Sequence, residues 1–217
     1  SKKFFSALAA VLMATAGSAN AEVIGGVEFP QGVSSFADQL VSFVPGGNTV
    51  APHNNPLAAL GIPDYETLGD NSGTQSTYVS LGWGGALTLK FADNSLTTSG
   101  DSALDLWVFE IGAAVEPTNI FISQNGIDWI SVGAVGGATA GVDIDAFSGV
   151  VVGTQYSYVR LVDQNRRLSG FPFAGADIDA VAAISSAPPV NEVPEPTSLA
   201  LAALGLACLR VGRRWAK

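Results

Sequence analysis

Acidic side chains are the main chemistry-bearing residues of this sequence. Asp163 ends one strand-like run and Asp177 begins the next, so the two flank the 164–176 loop; they meet if those strands pair. Asp179 follows two residues on, on the same face as Asp177. Clustered carboxylates repel one another unless a cation or a donor offsets them, and hard oxygen ligands suit Ca2+. Asp163, Asp177 and Asp179 are therefore the candidate ligands of a structural Ca2+. The same groups can instead cap loops, accept backbone N–H bonds, or pair with Arg160, Arg166 and Arg167. No EF-hand loop or RTX-type repeat is present, so spacing leaves both uses open.

Catalytic chemistry finds less to work with. His53 is the single histidine and sits in the turn-rich run Ala-Pro-His-Asn-Asn-Pro, which reads as a surface loop. No nucleophile motif surrounds it, and one histidine cannot supply a zinc site. Two carboxylates can form a glycosidase pair, but no pair stands out by sequence. The glycine-rich stretch from Gly133 to Gly141 matches neither a phosphate-binding loop nor a dinucleotide fingerprint and reads as a flexible loop. Among the tryptophans, Trp107 and Trp129 fall in strand-like runs and read as core. Trp83, between Gly82 and Gly84, is the candidate for stacking on a sugar face.

Charge narrows the partners. Residues 22–192 hold four basic residues (Lys90, Arg160, Arg166 and Arg167) against eighteen acidic ones, a formal charge of −14. Such a balance repels nucleic acid and anionic surfaces and favours cations or neutral ligands such as sugars. The only cysteine, Cys208, lies near the C-terminus, so the body of the chain must rely on its core rather than on disulfides.

Both ends read as processing segments. Lys2 and Lys3, the apolar run from Phe4 to Ala16, and the small residues Gly17–Ala21 form a signal peptide over residues 1–21, with cleavage expected after Ala21. A proline-rich linker spans 187–193. A tail over 194–217 then carries the apolar helix former Leu199–Leu209 and the basic residues Arg210, Arg213, Arg214 and Lys217. Eleven residues of helix span about 16 Å, roughly half a bilayer's hydrocarbon core, so permanent anchorage is marginal. Val193-Pro194-Glu195-Pro196, followed by a short apolar helix and a basic cluster, resembles the PEP-CTERM sorting signal. That resemblance implies an exosortase-type membrane protease as partner, transient insertion of the tail in the inner membrane, and delivery toward the cell surface alongside exopolysaccharide.

Between these ends, residues 22–186 show period-two patterning and frequent turn residues, the marks of an antiparallel all-β domain. Strands are expected at Gln39–Val44, Leu87–Phe91, Asp105–Glu110, Asn119–Ser123, Ile127–Val132, Tyr156–Val162 and Ile178–Ile184, with a hairpin at Asn125-Gly126. The run Ser123-Gln-Asn-Gly-Ile-Asp-Trp129-Ile-Ser-Val132 and the strand Tyr158-Val-Arg160 are similar to discoidin-like, galactose-binding-like jelly rolls. The resemblance implies a β-sandwich and a binding role rather than catalysis. The expectation is therefore an exported, non-enzymatic surface or matrix protein, associated with extracellular polysaccharide, whose jelly-roll domain binds a glycan or builds the extracellular layer. An extracellular polysaccharide hydrolase and a ligand-free structural protein are the alternatives.

Overall fold

The computed structural model describes residues 21–69, 76–112 and 116–190. The expected signal peptide, apart from Ala21, and the sorting tail with Val193, Pro194, Glu195 and Pro196 lie outside the described residues.

The described residues form thirteen strands. They are β1 (Glu22–Ile24), β2 (Val27–Phe29), β3 (Gln39–Val44), β4 (Val79–Ser80), β5 (Ala86–Lys90), β6 (Ser95–Leu96), β7 (Leu106–Glu110), β8 (Thr118–Ser123), β9 (Ile130–Val135), β10 (Thr139–Val142), β11 (Tyr158–Asp163), β12 (Asp177–Ala183) and β13 (Ser186–Ala187). The only α-helix among the described residues is the single turn Tyr65–Leu68. None of the described helices is long and apolar enough to cross a membrane.

Nine strands form two antiparallel sheets. One runs β10-β7-β12-β4 and the other β3-β5-β11-β8-β9. The main core lies where they face each other: Leu106, Val108, Ile178 and Val181 of the first sheet join Leu87, Leu89, Ile120, Ile122, Val159 and Leu161 of the second, all buried. Burying side chains of this size contributes roughly 1.5–3 kcal/mol each, enough to hold the domain without disulfides. This is the expected β-sandwich.

β12 is buried along its whole length because its second face is covered too. Small residues, Ala180 and Ala182, lie there under Phe29, Phe36 and Phe109, whose rings pack at centroid distances from 4.9 to 6.2 Å. Phe29 comes from the β1–β2 hairpin and Phe36 follows the 3-10 turn Gly32–Ser35, so the N-terminal segment acts as a lid on the four-stranded sheet.

Close backbone approach fixes one corner. A Cβ on Gly85 would lie 1.8 Å from the Leu81 carbonyl oxygen, and one on Gly46 would lie 2.4 Å from that of Trp83. Only glycine lets the β4–β5 turn lie against the segment after β3.

Several sequence expectations change here. The pairing of β11 with β12, the condition on which Asp163 was to meet Asp177, is not met: the two strands belong to different sheets. The glycine-rich stretch is no loop throughout: β9 runs to Val135, and β10 then forms an edge of the four-stranded sheet. The second arm of the Asn125-Gly126 hairpin starts at Ile130, three residues later than expected. Asn125 Oδ1 accepts the N–H groups of both Ile127 and Asp128, which folds the chain into a longer loop than a two-residue turn.

Candidate functional site

The loop from β11 to β12 is the most distinctive surface. It carries Arg166 and Arg167, two of the four cations in residues 22–192, followed by Leu168, Phe171 and Phe173. Phe171 is 67% exposed, Leu168 58% and Phe173 37%. The backbone is left-handed at Asn165 (φ 56°) and Arg167 (φ 54°). Asparagine visits that region readily, whereas a long side chain does so at a steric cost, so the surroundings must hold Arg167 there.

Four contacts do so. The Arg167 guanidinium lies 4.8 Å from the centroid of the Trp83 ring. The Trp83 indole N–H donates to the Ser169 carbonyl at 3.1 Å. Asp163 Oδ1 accepts the N–H groups of Asn165 and Gly84, each at 2.8 Å, and so ties the root of the loop to the β4–β5 turn. Trp83, expected as the exposed sugar platform, is half-buried; it props the loop and carries a cation on its ring.

Asp163, Asp177 and Asp179 each take separate donors. Asp163 is held as described, and Asp177 accepts the Ser80 hydroxyl. Asp179 accepts the N–H groups of Asp64 and Tyr65, both at 3.2 Å. A bulge between Ile178 and Ala180 breaks the alternation that placed Asp177 and Asp179 on one face.

Among the described residues, the trio of carboxylates whose oxygens all approach within 4.8 Å is Asp105, Asp143 and Asp145. Asp105 is fully buried; its two oxygens accept the N–H groups of Ser99 and Ile144. Asp145 accepts from Gly100, while Asp143 Oδ1 is buried with no hydrogen-bond partner. Such a donor set suits a hard cation. The signal in the sequence was the Asp143-Ile-Asp145 spacing, which was passed over.

A cavity of about 430 Å3 opens beside the edge of the four-stranded sheet, lined in part by Glu66, Phe109, Glu110, Thr139 and Asp179. Burial pushes the Glu110 carboxyl up to about 7, with the neighbouring Glu116 carboxylate adding to it. Burial likewise pushes Asp179 up to about 6, helped by Asp64 and Glu66. Acid catalysts carry raised values of this kind, and so do buried structural carboxylates. Both Asp179 oxygens accept backbone N–H groups, and Glu110 Oε1 accepts the N–H of Glu116 at 2.9 Å.

The other candidates settle into packing roles. His53, expected on the surface, is buried between Tyr78, which stacks on it, and the edge of Phe173, with Ser76 Oγ 3.3 Å from Nδ1. Trp129 lies just before β9 rather than within a strand and is half-buried, with the Arg160 guanidinium 3.9 Å from its ring centroid. Trp107 lies in β7 and packs against the N-terminal lid. The arginine-aromatic loop itself was missed; its signal was two adjacent cations in a cation-poor domain, followed by Gly-Phe-Pro-Phe.

Comparison with solved structures finds similarity to the C-terminal domain of a chitobiase from Bacteroides fragilis. The identity is 14% and the TM-score 0.40, over 70% of this chain and 95% of that one. No curated protein matches the chain. Residues 192–214 match the PEP-CTERM protein-sorting motif, which includes the Val193-Pro194-Glu195-Pro196 run. The chain thus joins a β-sandwich to a PEP-CTERM sorting motif, which implies export, handling by an exosortase and sorting to the cell surface.

Proposed function

We propose that this is a non-enzymatic surface protein, exported through its N-terminal signal peptide, whose β-sandwich binds extracellular polysaccharide through the 164–173 loop. The observation that carries the reading is the sorting motif at 192–214, which directs the domain to the surface where such polymers lie. The loop supports it by offering an exposed aromatic ring, Phe171, beside hydrogen-bond donors. In cells, the chain truncated before Glu192 should stay off the surface while the full chain reaches it. Surface delivery of both forms would overturn the sorting part. Retention of the full chain on polysaccharide columns, lost in Phe171→Ala, tests the binding part.

A structural Ca2+ belongs to the same reading. Its ligands would be Asp105, Asp143 and Asp145, which converge, rather than Asp163, Asp177 and Asp179, each of which already accepts donors of its own.

A hydrolase reading rests on one observation, the two raised carboxylates lining the cavity. It requires Glu110→Gln and Asp179→Asn each to abolish release of reducing ends from polysaccharide. An absence of such release by the unaltered chain removes it.

A further inference from the structure

The geometry points to a carboxylate-bearing polysaccharide, a chain of uronic acid units, as the ligand of the Arg166–Phe173 loop. This rests on the glycan-binding reading and gives it a chemical class.

Charge over the whole domain favours neutral ligands, but residues 164–176 of the loop carry two cations and no acid, and the carboxylates packed against it, Asp163 and Glu116, are buried. Arg166 and Arg167 are exposed at its tip, and the Asp163 carboxylate at its root is 4% exposed with Oδ1 spent on two backbone N–H groups. At physiological ionic strength charges farther than about 8 Å are largely screened, so a ligand carboxylate at the tip meets the two guanidiniums first. Arg167 is also oriented in advance. Its left-handed backbone and its place over Trp83 restrict the side chain, leaving the edge of the planar guanidinium for an outside acceptor. Its bond to Asn165 Oδ1, at 3.5 Å, is long enough to be exchanged. Phe171 supplies the apolar face against which a pyranose ring can lie. A non-glycine residue held in the left-handed region beside exposed aromatic and cationic groups is the pattern of strain retained for binding.

The test uses the full chain at about 0.15 M salt, where the domain's other charges are largely screened. Polygalacturonate and its fully methyl-esterified form share one backbone and differ in charge. The inference expects retention on polygalacturonate, weaker retention on the ester, and about a tenfold loss of affinity in the double variant R166Q/R167Q. Phe171→Ala should weaken binding to both polymers. Equal binding to acid and ester, or no effect of R166Q/R167Q, overturns the carboxylate assignment and leaves the glycan reading standing. Binding to neutral dextran alone does the same. Binding to none of the three polymers overturns both. Capture by phosphatidylserine vesicles that R166Q/R167Q abolishes, with no polymer retained, assigns the loop to a membrane and overturns the inference.

Discussion

Asp179, at the bulge of the most buried strand, accepts the backbone N–H of Tyr65 across 114 residues of sequence. With its second oxygen on the Asp64 N–H, it anchors the only α-helical turn among the described residues to the sheet. Removing it leaves two N–H groups without an acceptor. Asp179→Ala should lower stability by about 2–4 kcal/mol, read by urea unfolding. A change under about 0.5 kcal/mol, the range of an ordinary surface substitution, would show that water replaces the carboxylate without cost.

Stability should rise on mild acidification. Burial pushes Glu110 up to about 7 and Asp179 up to about 6 in the folded chain, from ordinary values of 4.5 and 3.8. The folded state therefore holds more protons than the unfolded one between about pH 4 and pH 7, so stability falls as pH climbs through that window. Glu110 alone accounts for a decline on the order of 2–3 kcal/mol by pH 8. The melting temperature should climb from pH 8 to pH 5.5, and Glu110→Gln should flatten most of that slope. An unchanged slope in the variant would assign the effect to other groups.

Gly85→Ala should be among the most damaging single-atom changes in the chain. The new Cβ has a backbone carbonyl in its place, at 1.8 Å, and no flexible side chain to displace. Relief requires moving the β4–β5 turn, at a cost above about 3 kcal/mol. Gly26→Ala is the control: its Cβ meets nothing within 4 Å, so its cost comes from its φ of 81° alone. Equal soluble yields of the two variants would contradict the close approach.

Calcium should raise the melting temperature after treatment with EDTA. Binding to the folded state alone contributes RT ln(1 + [L]/Kd), about 2.7 kcal/mol at a hundredfold excess over Kd. Asp143→Asn should remove the shift, since Asp143 Oδ1 is the buried oxygen of the trio with no other partner. Asp177→Asn should leave it intact. The reverse pattern would return the site to the 163–179 region.

The sandwich was legible because period-two patterning is strong where two sheets face each other. Gln39–Val44 carries its sequence-derived bounds into β3, and β11 and β12 fall within two residues of theirs. Two-residue strands such as β4 and β6 were not legible, since pairing rather than pattern defines them. Sheet membership was not legible either. β11 and β12 are neighbours in sequence but cross between sheets, so Asp163 and Asp177 end strands of different sheets. Burial of His53 depends on Tyr78 and Phe173, which are distant in sequence and leave no local trace.

The described chain leaves the domain through a weak clasp. β13 pairs with β6 over two residues, and the Pro188 carbonyl accepts Ser95 Oγ at 2.7 Å and Gln155 Nε2 at 3.0 Å. Immediately upstream lies β12, flanked by β7 and β4 and buried throughout. Tension applied from the C-terminal side therefore meets these few bonds before it reaches the central strand. The clasp peels first and lengthens the tether by several residues, while the core between the two sheets bears no load until it has let go.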